Sequence, residues 1–142
     1  MNLLPGLNAT ASALDAERMR LNVVAENIAN AFTTKTPEGG PYQRKIVSFE
    51  SVLSSHTGMD KSTATTSVKV SGVKADQTPG KMVYNPEHPD ADENGMVLMP
   101  NVESSREMVD LIVSSRAYEA NLQVARTARQ LAKTALTIGN KG

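Results

Sequence analysis

Residues 104 to 139, SSREMVDLIVSSRAYEANLQVARTARQLAKTALTIG, contain no proline and no internal glycine. An unbroken stretch of this length predicts one long helix. Ser104 or Ser105 is placed to cap its start, with Glu107 close enough to support the cap, and Gly139 supplies a stop. Two apolar seams run along it. One passes from Met108 through Leu111, Tyr118, Leu122 and Ala132 to Leu136. The other passes from Val113 through Ala120, Val124 and Leu131 to Ile138. Together they form an apolar face wider than a single partner helix covers. Many members are alanine, so neighbouring backbones can come close.

The opposite end of the sequence is helical too. Leu4, Leu7, Ala11, Leu14, Arg18, Leu21, Ala25 and Ile28 recur at alternating steps of three and four, a coiled-coil spacing interrupted only by Arg18. Pro5 is tolerated only in a first turn, so the helix is expected to begin near Gly6 to Ala9, with Asn8 as its cap. It ends in AENIANAFTT, where Asn27 and Asn30 are poor choices for a helix interior. Between the helices, residues 33 to 103 hold every proline except Pro5 and most of the glycines. KIVSFESVL, TSVKVSGVKAD, KMVYN and GMVLM read as three or four short strands, and the polar run around residues 54 to 66 as a loop.

The expected fold is therefore mainly α with a small β-rich insert. The long N- and C-terminal helices pack as an antiparallel coiled-coil-like pair, with the uncovered seam completed by neighbouring subunits. Residues 1–32 and 104–139 form a discontinuous helical domain, and residues 33–103 the insert. The chain is expected to be either an oligomer or unfolded at its ends until it assembles. In SSRAYEAN, Arg116, Tyr118, Glu119 and Asn121 sit mid-helix among apolar neighbours. On a helix with a bare second face they read as a polar interface set, because polar groups in an apolar seam fix register. Arg18 and Arg129 fit the same logic.

Composition removes most chemistry. The chain has 15 basic and 15 acidic residues, so nothing draws it generally to nucleic acid or to an anionic membrane. Its densest basic run, YQRK at 42–45, reads as a solvated strand face. With no cysteine there is no disulfide framework, thiolate metal site or cysteine nucleophile. No run approaches the ~18 apolar residues of a membrane span. The first residues lack the basic and apolar regions of a cleavable secretory signal. DADENG, residues 90–95, imitates half a calcium loop, but the position requiring a bidentate glutamate is Asn101. His56 and His88 have no histidine partner at helical spacing, no Gly-x-Ser-x-Gly elbow exists, and PEGGP at 37–41 lacks the tail of a phosphate loop. No enzyme, cofactor, metal or small-molecule substrate is expected. Two other readings stay open at this level: a calcium-responsive module using DADENG, and a small dimeric coiled-coil adaptor.

ALDAERMRLNVVAENIANAFTTKTPEGGPYQRK and EMVDLIVSSRAYEANLQVARTARQLAKTAL resemble the bacterial flagellar axial proteins, the family of rod, hook and hook–filament junction subunits. TPEGGPYQRK and NPEHPDADENGMVLMPNV resemble its proximal rod members. Phe32 departs from the pattern, standing where the family usually has a polar residue. The resemblance implies a non-enzymatic building block of the basal-body rod. It would pass through the flagellar type III export channel without signal cleavage and stack helically across the periplasm. The terminal helices would form the inner tube, and the insert would face outward. Implied partners are copies of itself, other proximal and distal rod subunits, and the base-adapter protein beneath them. Leu14, Arg18, Leu21, Asn27, Ile28, Asn30, Arg116, Tyr118, Glu119, Asn121, Leu122 and Leu131 are the expected interface residues. Asn27 and Asn30 in particular are expected to bond a neighbouring backbone and to end the helix.

Overall fold

The computed structural model describes residues 4–54 and 65–139 of the chain. The order of elements is α1 (Leu4–Ala29), β1 (Lys45–Ser54), β2 (Thr65–Ala75), β3 (Met82–Tyr84), β4 (Met96–Leu98) and α2 (Ser104–Gly139). The polar loop expected at 54–66 lies outside the described residues except at its ends, where Ser54 and Thr65 are paired across the hairpin.

Helix α1 starts at Leu4, ahead of the expected Gly6 to Ala9. Pro5 falls in its first turn, where a missing N–H costs no intrahelical bond, and Asn8 lies inside the helix rather than at a cap. Its 26 residues make a rod of about 39 Å, and the 36 of α2 one of about 54 Å.

Helix α1 packs against α2 and also against the β1–β2 hairpin. That double cover changes which residues are deepest. Ala16, Val23, Val24, Asn27 and Ala31 are buried, whereas Leu14, Leu21 and Ile28 of the 3.5-residue seam are only half-buried. The deepest face is turned roughly a third of a turn from the seam. A seam read for one partner helix misses the second cover supplied by the hairpin.

Strands β1 and β2, of 10 and 11 residues, fall within a residue of the stretches KIVSFESVL and TSVKVSGVKAD and pair antiparallel. Val68, Val70 and Val73 break strict alternation. The register absorbs this: Val47 faces Val73, Ser48 faces Gly72, then Phe49 faces Val70, so Ser71 is the extra residue of a bulge. Past the bulge, Val70 and Val68 return to the same face as Val73. This face meets α1. The Arg20 guanidinium stands 4.6 Å from the Phe49 ring centroid, and the Val68 N–H donates to Ser12 Oγ at 3.3 Å. On the outer face, Glu50 sits opposite Lys69. A two-stranded hairpin is marginal alone, and α1 gives it an apolar backing.

Strands β3 and β4 form a second antiparallel hairpin, separate from the first. DADENG is part of its turn. Asp92 Oδ1 accepts the N–H groups of Asn94 at 2.9 Å and Met96 at 2.8 Å, and Asp90 Oδ2 accepts the Thr34 hydroxyl at 2.7 Å. These carboxylates shape and tether a turn flanked by strands, which leaves the calcium reading without support. Among the described residues, no group of three or more His, Asp or Glu is arranged to hold a metal ion, and no helix is long and apolar enough to cross a membrane.

Gly80 sets how closely the chain approaches β4. A Cβ built there would lie 1.9 Å from the Met99 carbonyl oxygen, a backbone atom that cannot swing away. Gly80→Ala should therefore destabilise the chain by about 2 kcal/mol, read as a lower urea midpoint at unchanged slope. Gly72→Ala is the control. Nothing stands within 4 Å of its added Cβ, so the midpoint should stay close to that of the parent.

Candidate functional site

The last turns of α1 meet the first turns of α2 through a cluster of polar groups. Asn27, 1% exposed, is its hub. Its Nδ2 donates to the Lys45 carbonyl at 2.9 Å and to Glu107 Oε2 at 3.0 Å. Its Oδ1 accepts the Tyr42 hydroxyl at 2.9 Å and the Lys45 N–H at 2.8 Å. An amide has two donors and two acceptor sites, and all four are used. Asn27 therefore has nothing left for a neighbouring backbone. The expected intermolecular bond is replaced by an internal one that joins α1, β1 and α2.

Glu107 is likewise reassigned. Helix α2 opens with the Glu107 N–H bonded to the Glu103 carbonyl at 3.0 Å. The Glu107 side chain does not support that cap; it is 0% exposed and turned toward the junction. Its Oε1 accepts Arg44 Nε at 2.6 Å while Oε2 holds Asn27. The other guanidinium nitrogens lie 3.8 Å from Asp76 and 3.7 Å from Asp110. Asn101 completes the joint. Its Oδ1 accepts the Arg44 N–H at 2.7 Å, and its Nδ2 donates to the carbonyls of Asp76 at 3.0 Å and Thr78 at 2.9 Å. Arg44, read from sequence as part of a solvated strand face, is the cation that ties the start of α2 to the hairpin, while Asn27 and the Lys45–Glu26 ion pair tie the end of α1 to it.

Two titrations are displaced by this setting. Burial, with the carboxylates of Glu26 and Glu107 adding to it, pushes the Tyr42 phenol up to about 12. The folded chain thus resists ionising Tyr42, whereas the unfolded chain ionises it at about 10. The stability linked to this group is complete below pH 10 and is lost as pH rises from 10 toward 12. Melting followed between pH 8 and 11.5 should show a midpoint falling above pH 10, and Tyr42→Phe should flatten that fall. On the acid side, the Thr78 hydroxyl and N–H, with lesser help from Arg44 and Arg106, hold Asp76 below the usual carboxylate value.

Asn30 keeps half of its expected role. Its Nδ2 donates to the Glu26 carbonyl at 2.9 Å, and its Oδ1 accepts the Thr33 hydroxyl at 3.2 Å. It closes the end of α1 with bonds inside the chain. Phe32 follows it, 76% exposed.

The other expected interface residues divide by burial. Leu14, Leu21, Ile28, Tyr118, Asn121 and Leu122 are half-buried, while Arg18, Arg116, Glu119 and Leu131 are exposed. The outer face of α2 stays uncovered in the single chain. Val113, Val124, Leu131 and Ile138 are more than half exposed, reaching 71% at Ile138, and Met108, Val109 and Ile112 widen the patch near the start of the helix. Helix α1 is also the shorter rod. Reaching back from Asn27 to Leu4, it ends roughly opposite residue 130 of α2, so the last turns of α2 extend past it. Monomeric soluble proteins rarely leave contiguous apolar area of this extent in water.

The chain thus combines a joint of buried polar bonds at one end with a helical rod left uncovered along one face. Comparison with known proteins gives the family. Residues 7–35 match the flagella basal body rod proteins, and residues 93–138 match the C-terminal region of the flagellar basal body rod FlgEFG proteins. The chain is 42% identical to the flagellar basal-body rod protein FlgC of Salmonella typhimurium, covering 98% of this chain and 99% of that one. It is 40% identical to FlgC of Bacillus subtilis, covering 98% and 99%, and 36% identical to FlgC of Borreliella burgdorferi, covering 97% and 98%. The chain belongs to the flagellar basal-body rod proteins, among which its full-length relatives form the FlgC group. As a member it is a structural subunit of the bacterial flagellar rod.

Proposed function

We propose that this rod subunit polymerises helically through its terminal helices and transmits torque from the motor to the hook. The uncovered stripe of α2, from Val113 to Ile138, is the observation that carries the proposal. Neighbouring subunits bury that stripe and complete the coiled-coil-like pairing that one chain leaves open. Their contacts fall on exposed Arg18, Arg116, Glu119 and Leu131. They also reach the rims of Leu14, Leu21, Ile28, Tyr118, Asn121 and Leu122, with Asn30 at the end of α1. Asn27 acts inside the subunit, holding the insert at a set angle to the helices. Close packing of small side chains gives the stiffness that torque requires.

The helices line the inner tube and residues 33–103 face outward. The subunit works in the periplasm-spanning rod and reaches it through the flagellar type III apparatus without a cleaved signal. It contacts copies of itself, other proximal and distal rod subunits and the base adapter. Its role is mechanical rather than enzymatic. It needs no cofactor, binds no nucleic acid and does not insert into the membrane.

Deleting the chain from its own bacterium and supplying it again tests this directly. Motility should be lost and regained, and the restored chain should co-purify with isolated basal bodies. Full motility in the deletion strain, or a chain that never enters basal bodies, rules the proposal out. Calorimetric titration with calcium should give no heat of binding at micromolar ion, which separates this reading from a calcium-responsive one.

A further inference from the structure

We propose that Asn94 is a latent site of self-modification, losing its side-chain amide to attack by the Gly95 backbone nitrogen, and that the folded β3–β4 turn holds this reaction off. The proposal stands apart from the rod reading. Among the asparagines of the chain, Asn94 alone is followed by glycine; Asn22 and Asn101 precede valine, and Asn121 precedes leucine. Any other residue puts a Cβ beside the attacking nitrogen, and glycine alone leaves the approach open. The Gly95 nitrogen gives up its proton to solvent base and bonds to Asn94 Cγ. The Cγ–Nδ2 bond breaks, and the departing nitrogen takes up a proton and leaves as ammonia. A five-membered cyclic imide remains. One water molecule then opens it at either carbonyl, giving an ordinary aspartyl residue or an isoaspartyl linkage that runs the main chain through the side chain.

The fold both demands this pair and guards it. Gly95 sits at φ +74°, and a Cβ there would come within 3.0 Å of Pro86 Cβ and Tyr84 Cε2, so a side chain is excluded by conformation and by space. The same bare backbone exposes its nitrogen to attack. Hydrogen bonds supply the guard. Gly95 is buried, and its N–H donates to the Asp92 carbonyl at 2.9 Å, which keeps that proton from solvent base. The N–H groups on either side, of Asn94 and Met96, are both held by Asp92 Oδ1, at 2.9 and 2.8 Å. Bringing the Gly95 nitrogen onto Asn94 Cγ requires the peptide between them to rotate, which breaks the Asp92 bonds. The Asn94 side chain itself is exposed, and no described residue bonds it.

Modification therefore proceeds from the opened turn, and its rate reports how often the turn opens. The product does not close as the parent does. A new carboxylate joins Glu87, Asp90, Asp92 and Glu93 in one short loop, where like charges repel. The isoaspartyl form also lengthens the main chain between residues 94 and 95. That displaces the Gly95 carbonyl from the Asn85 N–H, 2.8 Å away, and upsets the register that buries Val97. The chain thus carries a chemical record of the time its turn has spent open.

The test holds the purified full-length chain in warm, mildly alkaline buffer, folded or in urea, and follows the peptide spanning Asn94 by mass and by isoaspartyl methylation. In urea Asn94 should be lost faster than Asn22, Asn101 or Asn121. Gly95→Ala should slow that loss about tenfold in the same urea, where folding plays no part. Without urea the parent should lose Asn94 about tenfold more slowly than in it. Asp92→Ala removes both side-chain bonds and should erase most of this protection, while its rate in urea stays that of the parent. Helical circular dichroism should match the parent, so that the lost protection belongs to the turn. If it does not match, Thr34→Val, which cuts only the tether to Asp90, takes its place and should raise the folded-state rate. Equal rates with and without urea, or full protection in the turn variants, overturn the guard. Asn94 surviving in urea as long as Asn101 overturns the site.

Discussion

Glu107→Ala should lower the stability of the free chain by about 3 kcal/mol, the largest loss expected from any single truncation in the molecule. The carboxylate is wholly buried and serves two partners from different elements, Arg44 at 2.6 Å and Asn27 at 3.0 Å. Removing it leaves a poorly hydrated guanidinium and an unpaired amide donor. Asp76 and Asp110, at 3.8 and 3.7 Å, retain part of the hold on Arg44, which keeps the loss at the lower end of the range for broken buried pairs. For a chain of this size the melting midpoint should fall by roughly 6–12 °C. Glu107→Gln keeps the volume but only one of the two bonds, because its amide presents a donor to one partner that is itself a donor. Its loss should be about half as large. Equal stability of Glu107→Ala and the parent would mean that the junction does not hold the fold.

Val124→Glu combined with Leu131→Glu should have the opposite profile. Both positions are exposed in the single chain, and glutamate is a good helix former, so stability should move by no more than about 0.5 kcal/mol. In the rod, each carboxylate would enter an apolar contact with no partner, at a cost of several kcal/mol per site. Repeated in every subunit, that cost should abolish rod assembly and swimming while the purified chain melts as the parent does. A variant that swims normally would show that this stripe is not a contact. A variant that fails because it unfolds would place the stripe in the subunit's own core. The two experiments separate what holds one subunit together from what holds subunits to each other.

The sequence made the helices easy to read and the junction nearly invisible. Helix α2 was legible because nothing in residues 104–139 interrupts a helix, and its surplus apolar width was legible in the same spacing. Strand identity was legible at all four sites, although Val68, Val70 and Val73 conceal a bulge that only pairing with Phe49 and Val47 reveals. Asn27 stands out as an odd choice for a helix, yet its local pattern points outside the chain while its bonds are all internal. Its bonds reach Tyr42, 15 residues away, and Glu107, 80 residues away, and no local pattern encodes contacts at such separations. Arg44 and Glu107 are opaque to local reading for the same reason, being 63 residues apart. A charge beside a strand normally faces water, and a glutamate in a first helical turn normally supports the cap. Only the fold brings the two together, and each then justifies burying the other.

The thiol reactivity of Leu131→Cys, compared between the free subunit and isolated basal bodies, bears most directly on whether the bare face of α2 is finished by neighbours. In the free subunit the position is 60% exposed, so a maleimide should label it at the rate of an open thiol. In the rod, labelling should slow on the order of a hundredfold, as for a side chain desolvated at the core of an interface. Labelling at the same rate in both states would contradict burial of this face and leave the assembly to be built through some other surface.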